Sequence, residues 1–191
     1  MTVTELITGI KDRLTDASTF SDQTFIDWVN ELEADIYTRI IKKYDYSTID
    51  SVADQGEYNY PASVSIDDIE RLIYKGMVYY KVDIRTDSKD IHNPSFWDDD
   101  GEINMFPVPK HDDEEIKVVY LTKPTSKTLV TDELLLPNQF INAYRYYIYA
   151  QILLLRDEDS RVEKWMMQFN EIERKLVEWY PAPLDPISQL G

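Results

Sequence analysis

The chain has 191 residues, 43% of them hydrophobic, which is enough for a compact domain with a real core and too apolar for global disorder. It has no cysteine, so disulfides, thiolate catalysis and cysteine-ligated zinc are excluded. Its formal net charge of -16 repels phosphates and anionic membranes instead of gripping them. The opening stretch MTVTELITGIKDRLTD reads as a polar-interrupted helix with acids, not as a signal peptide. No apolar run approaches the roughly 20 residues that span a bilayer. The expectation is a soluble protein made in a cytosol. The 14 tyrosines beside 6 phenylalanines fit either strands or half-buried contact surfaces.

In chain order, Val3, Leu6, Ile7, Ile10 and Leu14 recur at helical spacing and put one apolar face on a first helix. Ser18-Thr19-Phe20-Ser21 breaks the pattern, and Ser21 or Asp22 can cap the next helix. Phe25, Trp28, Val29, Leu32, Ile36 and Ile40 continue as a long stripe. Arg39, Lys42 and Lys43 lie at its end, where cations suit the helix dipole. From Tyr44 the period changes to that of strands. Glu57–Pro61 reads as a short strand, and Ile69–Val82 as a tight hairpin turning at Lys75-Gly76. Residues 83–95 read as a loop, Ile103–Phe106 and Ile116–Leu121 as strands, and Thr125–Thr131 as a polar connector. Helix returns at Pro137. Phe140, Ile141, Tyr144, Tyr147, Ile148, Gln151 and Ile152, then Val162, Trp165, Met166, Phe169, Ile172, Leu176 and Trp179, predict an antiparallel pair of helices joined by the turn Arg156–Ser160.

Strands that follow one another without alternating helices favour α+β over a parallel doubly wound sheet. The predicted fold class is α+β, mainly α. It is a four-helix bundle with two N-terminal helices (about residues 3–44), two C-terminal helices (about 137–180) and a central insertion of short antiparallel β-strands (about 45–124). Residues 1–180 are read as a single domain, and 181–191 as an extended, proline-rich C-terminal tail.

Two acidic runs invite a chemical reading. In His111-Asp-Asp-Glu-Glu115, between Pro107-Val-Pro109 and a strand, a histidine meets four acids, which raises a metal-dependent hydrolase. Consecutive residues rarely converge on one ion, and the composition suits a charged hairpin loop, which is the preferred reading. Trp97-Asp-Asp-Asp-Gly-Glu102 lacks the register of a calcium loop and reads as an Asp/Gly turn. The two runs flank one strand at its opposite ends. There is no nucleophile elbow, Walker loop or dinucleotide fingerprint. No catalytic, cofactor-binding or metal-ligating residue is assigned, and no cofactor is expected. The strong acidity also raises a regulatory or DNA-mimic protein, which the regular core does nothing to favour.

The feature above background is contact surface. Tyr146, Tyr147 and Tyr149 cannot all share the helix face of Tyr144 and Ile148, so some aromatic rings need cover from elsewhere. Either a thick local core or a neighbouring subunit could supply it.

The order of the pieces resembles the head–tail connector or adaptor proteins of tailed bacteriophages. The pieces are the opening helical pair with Phe25, Ile26, Trp28, Val29 and Leu32; Gly56-Glu-Tyr-Asn-Tyr-Pro61; Ile69–Gly76; Ile103-Asn-Met-Phe-Pro-Val-Pro109; Val118-Val-Tyr120 leading to Lys123-Pro124; and Leu136-Pro137 opening a helical pair. The resemblance implies a non-enzymatic structural protein of the virion neck, made in the host cytoplasm, that forms a ring, usually of twelve copies in such proteins, below the portal. It implies the portal protein, copies of itself and tail or neck proteins as partners. DNA would pass through the ring without specific binding, and no membrane is involved. The candidate partner-binding residues are then Tyr146, Tyr149, Trp179 and Tyr180, with Pro181, Pro183, Leu184, Pro186, Ile187 and Leu190 of the tail. Adaptor, stopper and tail-completion roles stay open at this point.

Overall fold

The computed structural model describes residues 1–62, 64–83, 94–156 and 158–180. The chain divides into two compact units. Among the described residues, one combines Met1–Lys42 with 123–180, and the other is Lys43–Thr122.

The first unit is helical. Helix α1 (Val3–Lys11) opens with a capping box, in which Glu5 N–H donates to the Thr2 hydroxyl and Thr2 N–H to the Glu5 carboxylate. Helix α2 (Asp22–Ile36) is capped by Ser21, as its sequence predicts. It runs into a π-type turn at Tyr37–Ile41 and stops where Lys42 takes a left-handed backbone (φ 46). Helices α3 (Ile141–Leu154) and α4 (Asp159–Trp179) follow Pro137 and a short 3-10 turn. The predicted stripes are the core: Val3, Leu6, Ile7 and Ile10 of α1; Phe25, Trp28, Val29, Leu32 and Ile36 of α2; Tyr144, Ile148 and Ile152 of α3; and Phe169 and Leu176 of α4 are all buried together. At roughly 1.5–3 kcal/mol for each fully buried large apolar side chain, this face outweighs the weak intrinsic helix preference of so many aromatic and β-branched residues. The connector from Lys123 to Pro137 is tied to α1 by bonds from Val3 N–H to Asp132 (3.0 Å), Thr4 N–H to Val130 (2.8 Å) and Leu134 N–H to Met1 (3.0 Å).

The second unit corrects the expected mainly helical bundle with a small β insertion. It is a seven-stranded, curled, mixed sheet. The strands are β1 (Tyr44–Asp50), β2 (Glu57–Asn59), β3 (Ile69–Tyr74), β4 (Met77–Lys81), β5 (Ser95–Asp99), β6 (Glu102–Phe106) and β7 (Glu115–Leu121), in spatial order β1-β7-β3-β4-β5-β6-β2. It has a core of its own: Tyr58, Ile69, Leu72, Tyr74, Tyr79, Phe96, Ile103, Met105, Ile116 and Val118 pack together. Nor is the sheet purely antiparallel. Strands β4 and β5 pair in parallel, Tyr80 with Ser95 and Lys81 with Phe96. Strand β5 is the element sequence reading missed. Its Ser-Phe-Trp-Asp-Asp offers only two apolar residues before the acids, a poor strand signature that pairing with β4 and β6 overrides.

Two turns follow from residue chemistry. Lys75-Gly76 (φ 51 and 78) and Asp100-Gly101 (φ 50 and 84) each place two left-handed residues between antiparallel strands, the twist that a two-residue hairpin requires. Strand β3 carries a bulge between Ile69 and Arg71. The extra residue lets Ile69 and Leu72, three positions apart, both reach the core.

Candidate interaction surfaces

The helical unit holds one buried carboxylate. Glu33, 1% exposed, sits in the apolar stripe of α2 between Val29 and Ile36. One of its oxygens accepts from Leu135 N–H (2.7 Å) and from the Tyr144 hydroxyl (2.6 Å). The other faces the Lys127 ammonium at 3.4 Å, an ion pair too long for a good hydrogen bond. The Tyr144 hydroxyl also accepts from Leu136 N–H (3.1 Å). Burial, then the Glu33 charge, holds the Tyr144 phenol far above its ordinary range. One helical turn earlier, Asn30 brackets Lys127: its amide nitrogen donates to the Lys127 carbonyl (2.9 Å) and its oxygen accepts from Lys127 N–H (2.6 Å). The constellation therefore pins the connector to α2. The second Glu33 oxygen accepts no hydrogen bond among the described residues and has the Lys127 ammonium as its counter-ion. The sequence signal was there: a glutamate four residues after Val29 and three before Ile36 lies on the buried face.

The aromatic surplus of α3 is covered from within the chain. Tyr147 stacks near Phe169 of α4 (6.0 Å between centroids), and Tyr146 and Tyr149 both lie against Trp165 (5.4 and 4.9 Å). Tyr149 is 3% exposed and so contributes no surface, while Tyr146 is half-buried. Trp179 lies edge-on to Phe140 (5.8 Å) yet remains 55% exposed, and Tyr180 beside it is half-buried. Pro181, Pro183, Leu184, Pro186, Ile187 and Leu190 lie outside the described residues. Apolar surface missed by the sequence reading appears at Leu154 and Leu155, where α3 ends, and at Met167 and Val177 on α4. Arg39, expected only to suit a helix end, ion-pairs with Asp35 and with Glu173 of α4 (2.5 Å to the latter).

The acidic run His111–Glu115 is not a hairpin loop. Strands β6 and β7 that flank it are not neighbours in the sheet, so it is part of a crossing connection. Its groups are bound to structure. Ser51 hydroxyl donates to the His111 carbonyl (2.7 Å), and Ala53 N–H donates to the Asp112 carboxylate (2.7 Å). Glu114 receives the Tyr74 hydroxyl and the Lys75 ammonium (2.7 Å to the latter). These partners, Lys75 first, hold the Glu114 carboxyl below its ordinary range. Among the described residues no three His, Asp or Glu side chains are placed to share a metal ion. The run Asp98–Gly101 lies at the opposite end of β6, as expected, with Asp98 accepting from the Tyr60 hydroxyl. Among the described residues no helix is long and apolar enough to cross a membrane.

What these parts amount to is two packed units with exposed apolar and acidic faces, and bound acids where a reactive centre was weighed. No curated protein matches the chain. One family model, described as SU10 adaptor protein, matches residues 1–184, and so takes in every piece on which the resemblance to phage adaptors was read. The chain belongs to the SU10 adaptor protein family, and that membership implies a structural component of a phage virion that binds other virion proteins.

Proposed function

We propose that the chain is a head–tail connector that assembles as a ring below the portal and continues the DNA channel towards the tail. Family membership carries this reading. Two properties of the chain support it. The net charge of -16 suits a duct wall along which DNA slides without sticking. The exposed Leu154, Leu155, Met167, Val177 and Trp179 give the paired helices apolar surface of the kind that neighbouring copies or the portal would cover. The tail from Pro181 onward acts in this reading as a docking arm, with Trp179 and Tyr180 at its root.

Electron microscopy of the purified chain mixed with the portal protein of the same phage tests the proposal. Rings of the chain stacked on the portal are the expected result. A folded portal and a folded chain that stay separate at micromolar concentration would overturn it. Trp179→Ala together with Leu155→Ala should cut ring occupancy while leaving the circular dichroism of the free chain unchanged.

A further inference from the structure

Strands β1 and β2 are consecutive in sequence, joined only by residues 51–56, yet they are the two outer edges of the sheet. The sheet curls, and among the described residues no ladder joins these two edges. A groove of about 560 Å³ lies there, lined by Ile49, Asp50 and Val52 on one side and by Glu57, Asn59 and Glu102 on the other. A second groove lies further along the same strands, between Asp45–Thr48 and Pro61–Ala62.

The register decides which backbone groups point into this slot. Ser51 N–H donates to Glu114 (2.8 Å) and Thr122 N–H to Lys43 (2.9 Å), so the odd-numbered residues of β1 bond β7. Tyr44, Tyr46, Thr48 and Asp50 therefore turn their N–H and C=O groups outward. On the other edge Met105 N–H donates to Gly56 (2.9 Å), so Glu57 and Asn59 turn theirs outward. Two of these groups are occupied by local side chains. Tyr46 N–H donates to Asp45 (2.8 Å), and the Glu57 carbonyl accepts from Gln55 (2.5 Å). Among the described residues no side chain guards Thr48, Asp50 or Asn59 in this way. Two unladdered edges with unguarded groups are a template for an added strand.

The rim selects the occupant. Asp45, Asp50, Glu57 and Glu102 border the grooves, and no lysine or arginine lines them among the described residues. The nearest cation of β7, Lys117, is engaged with Glu115 (3.6 Å) and the Tyr46 ring (4.9 Å). A second copy, with net charge -16, would bring like charge to the slot. We infer that the β1–β2 slot accepts an extended, lysine- or arginine-bearing segment of a different protein, which pairs with Thr48 and Asp50 on one side and Asn59 on the other and fills the open seam of the sheet. This goes beyond ring formation, and it is independent of whether a ring forms.

The test uses the full chain and a capped peptide of about six alternating lysine and valine residues, a typical strand length. Amide hydrogen exchange is read by NMR, with a glutamate–valine peptide as the control. The expected result is joint slowing of exchange at Thr48, Asp50 and Asn59 by the basic peptide alone, with affinity falling at least about tenfold when Asp50→Asn and Glu57→Gln are combined. Thr48→Pro should abolish binding and keep the fold, because the N–H it removes does not bond β7. The charge variants decide the matter if Thr48→Pro is unfolded. Slowing on one edge only, equal binding of the acidic peptide, no slowing at all, or slowing that grows with protein concentration without peptide would each overturn the inference.

Discussion

Replacing Glu33 with alanine tests whether the connector is pinned by a single buried carboxylate. The change removes the acceptor of Leu135 N–H and of the Tyr144 hydroxyl, and the counter-ion of Lys127, whose side chain is only 14% exposed. Two hydrogen bonds to a charged acceptor contribute about 1.5–3 kcal/mol each. Against this, the alanine variant no longer carries the desolvation cost of a buried carboxylate. Breaking a buried pair by removing one partner costs about 3–5 kcal/mol net, which is the expected destabilisation of Glu33→Ala. Glu33→Gln keeps the shape and the oxygen that accepts from Leu135 and Tyr144, but loses the charge and turns an amide NH2 towards Lys127, so about 1–2 kcal/mol is expected. Urea unfolding followed by tryptophan fluorescence measures both. Trp28, Trp165 and Trp179 belong to the helical unit, so a Trp97→Phe background makes the signal report that unit alone. Hydrogen exchange at Leu135 should quicken in the alanine variant well before global unfolding. A loss under about 1 kcal/mol for Glu33→Ala, or equal losses for alanine and glutamine, would refute the assignment of Glu33 as the pin.

Three further outcomes follow from the geometry. A Cβ at Gly56 would meet Val108 Cγ1 at 2.9 Å and the Met105 carbonyl at 3.2 Å, so Gly56→Ala should destabilise the sheet unit by about 1–3 kcal/mol in thermal or urea unfolding. Glu114 has a lowered folded pKa, so its contribution is complete above the unfolded carboxylate value of about 4.3 and is lost as pH falls through the folded value. The difference in urea midpoint between the wild-type chain and Glu114→Gln should therefore shrink only on acidification below that point, and a difference unchanged by pH would refute the ion pair. Arg39 is half exposed, so Arg39→Ala should cost less than about 1 kcal/mol, and that cost should fade in high salt as the pairs to Asp35 and Glu173 are screened.

The helices were legible because their cores obey one rule along the chain. Val3 to Ile10, Phe25 to Ile40 and Val162 to Leu176 repeat at three and four; the first two stripes are buried as predicted, while in the third Val162, Phe169 and Leu176 are buried, Trp165, Met166 and Ile172 are half-buried, and Trp179 beyond them is exposed. The caps at Ser21 and the turn at Lys75-Gly76 were legible for a similar reason, since a single residue's chemistry fixes each. The sheet was underestimated because its order is set by contacts between distant residues. Nothing local to Ser95–Asp99 says that Phe96 will sit opposite Met105 with Lys81 on its other side. The bulge in β3 hides a core stripe by shifting its period at Glu70.

The acidic run between β6 and β7 shows how the same gap affected the reading of chemistry. As a hairpin loop, Asp112 and Glu114 would be solvated, and their joint replacement by serine would matter little. Because the connection crosses between non-adjacent strands, both carboxylates are drawn into bonds with Ala53, Tyr74 and Lys75. Their work is to hold the 51–53 turn and the β3–β4 turn in place. The 51–56 connection in turn fixes how β1 leaves one edge of the sheet and β2 joins the other. The stretch that first suggested a metal centre is better understood as part of what holds the β1–β2 connection, with Asp112 bound to the Ala53 backbone, Glu114 bound to the Tyr74 and Lys75 side chains, and Asp50 and Glu57 left lining the groove.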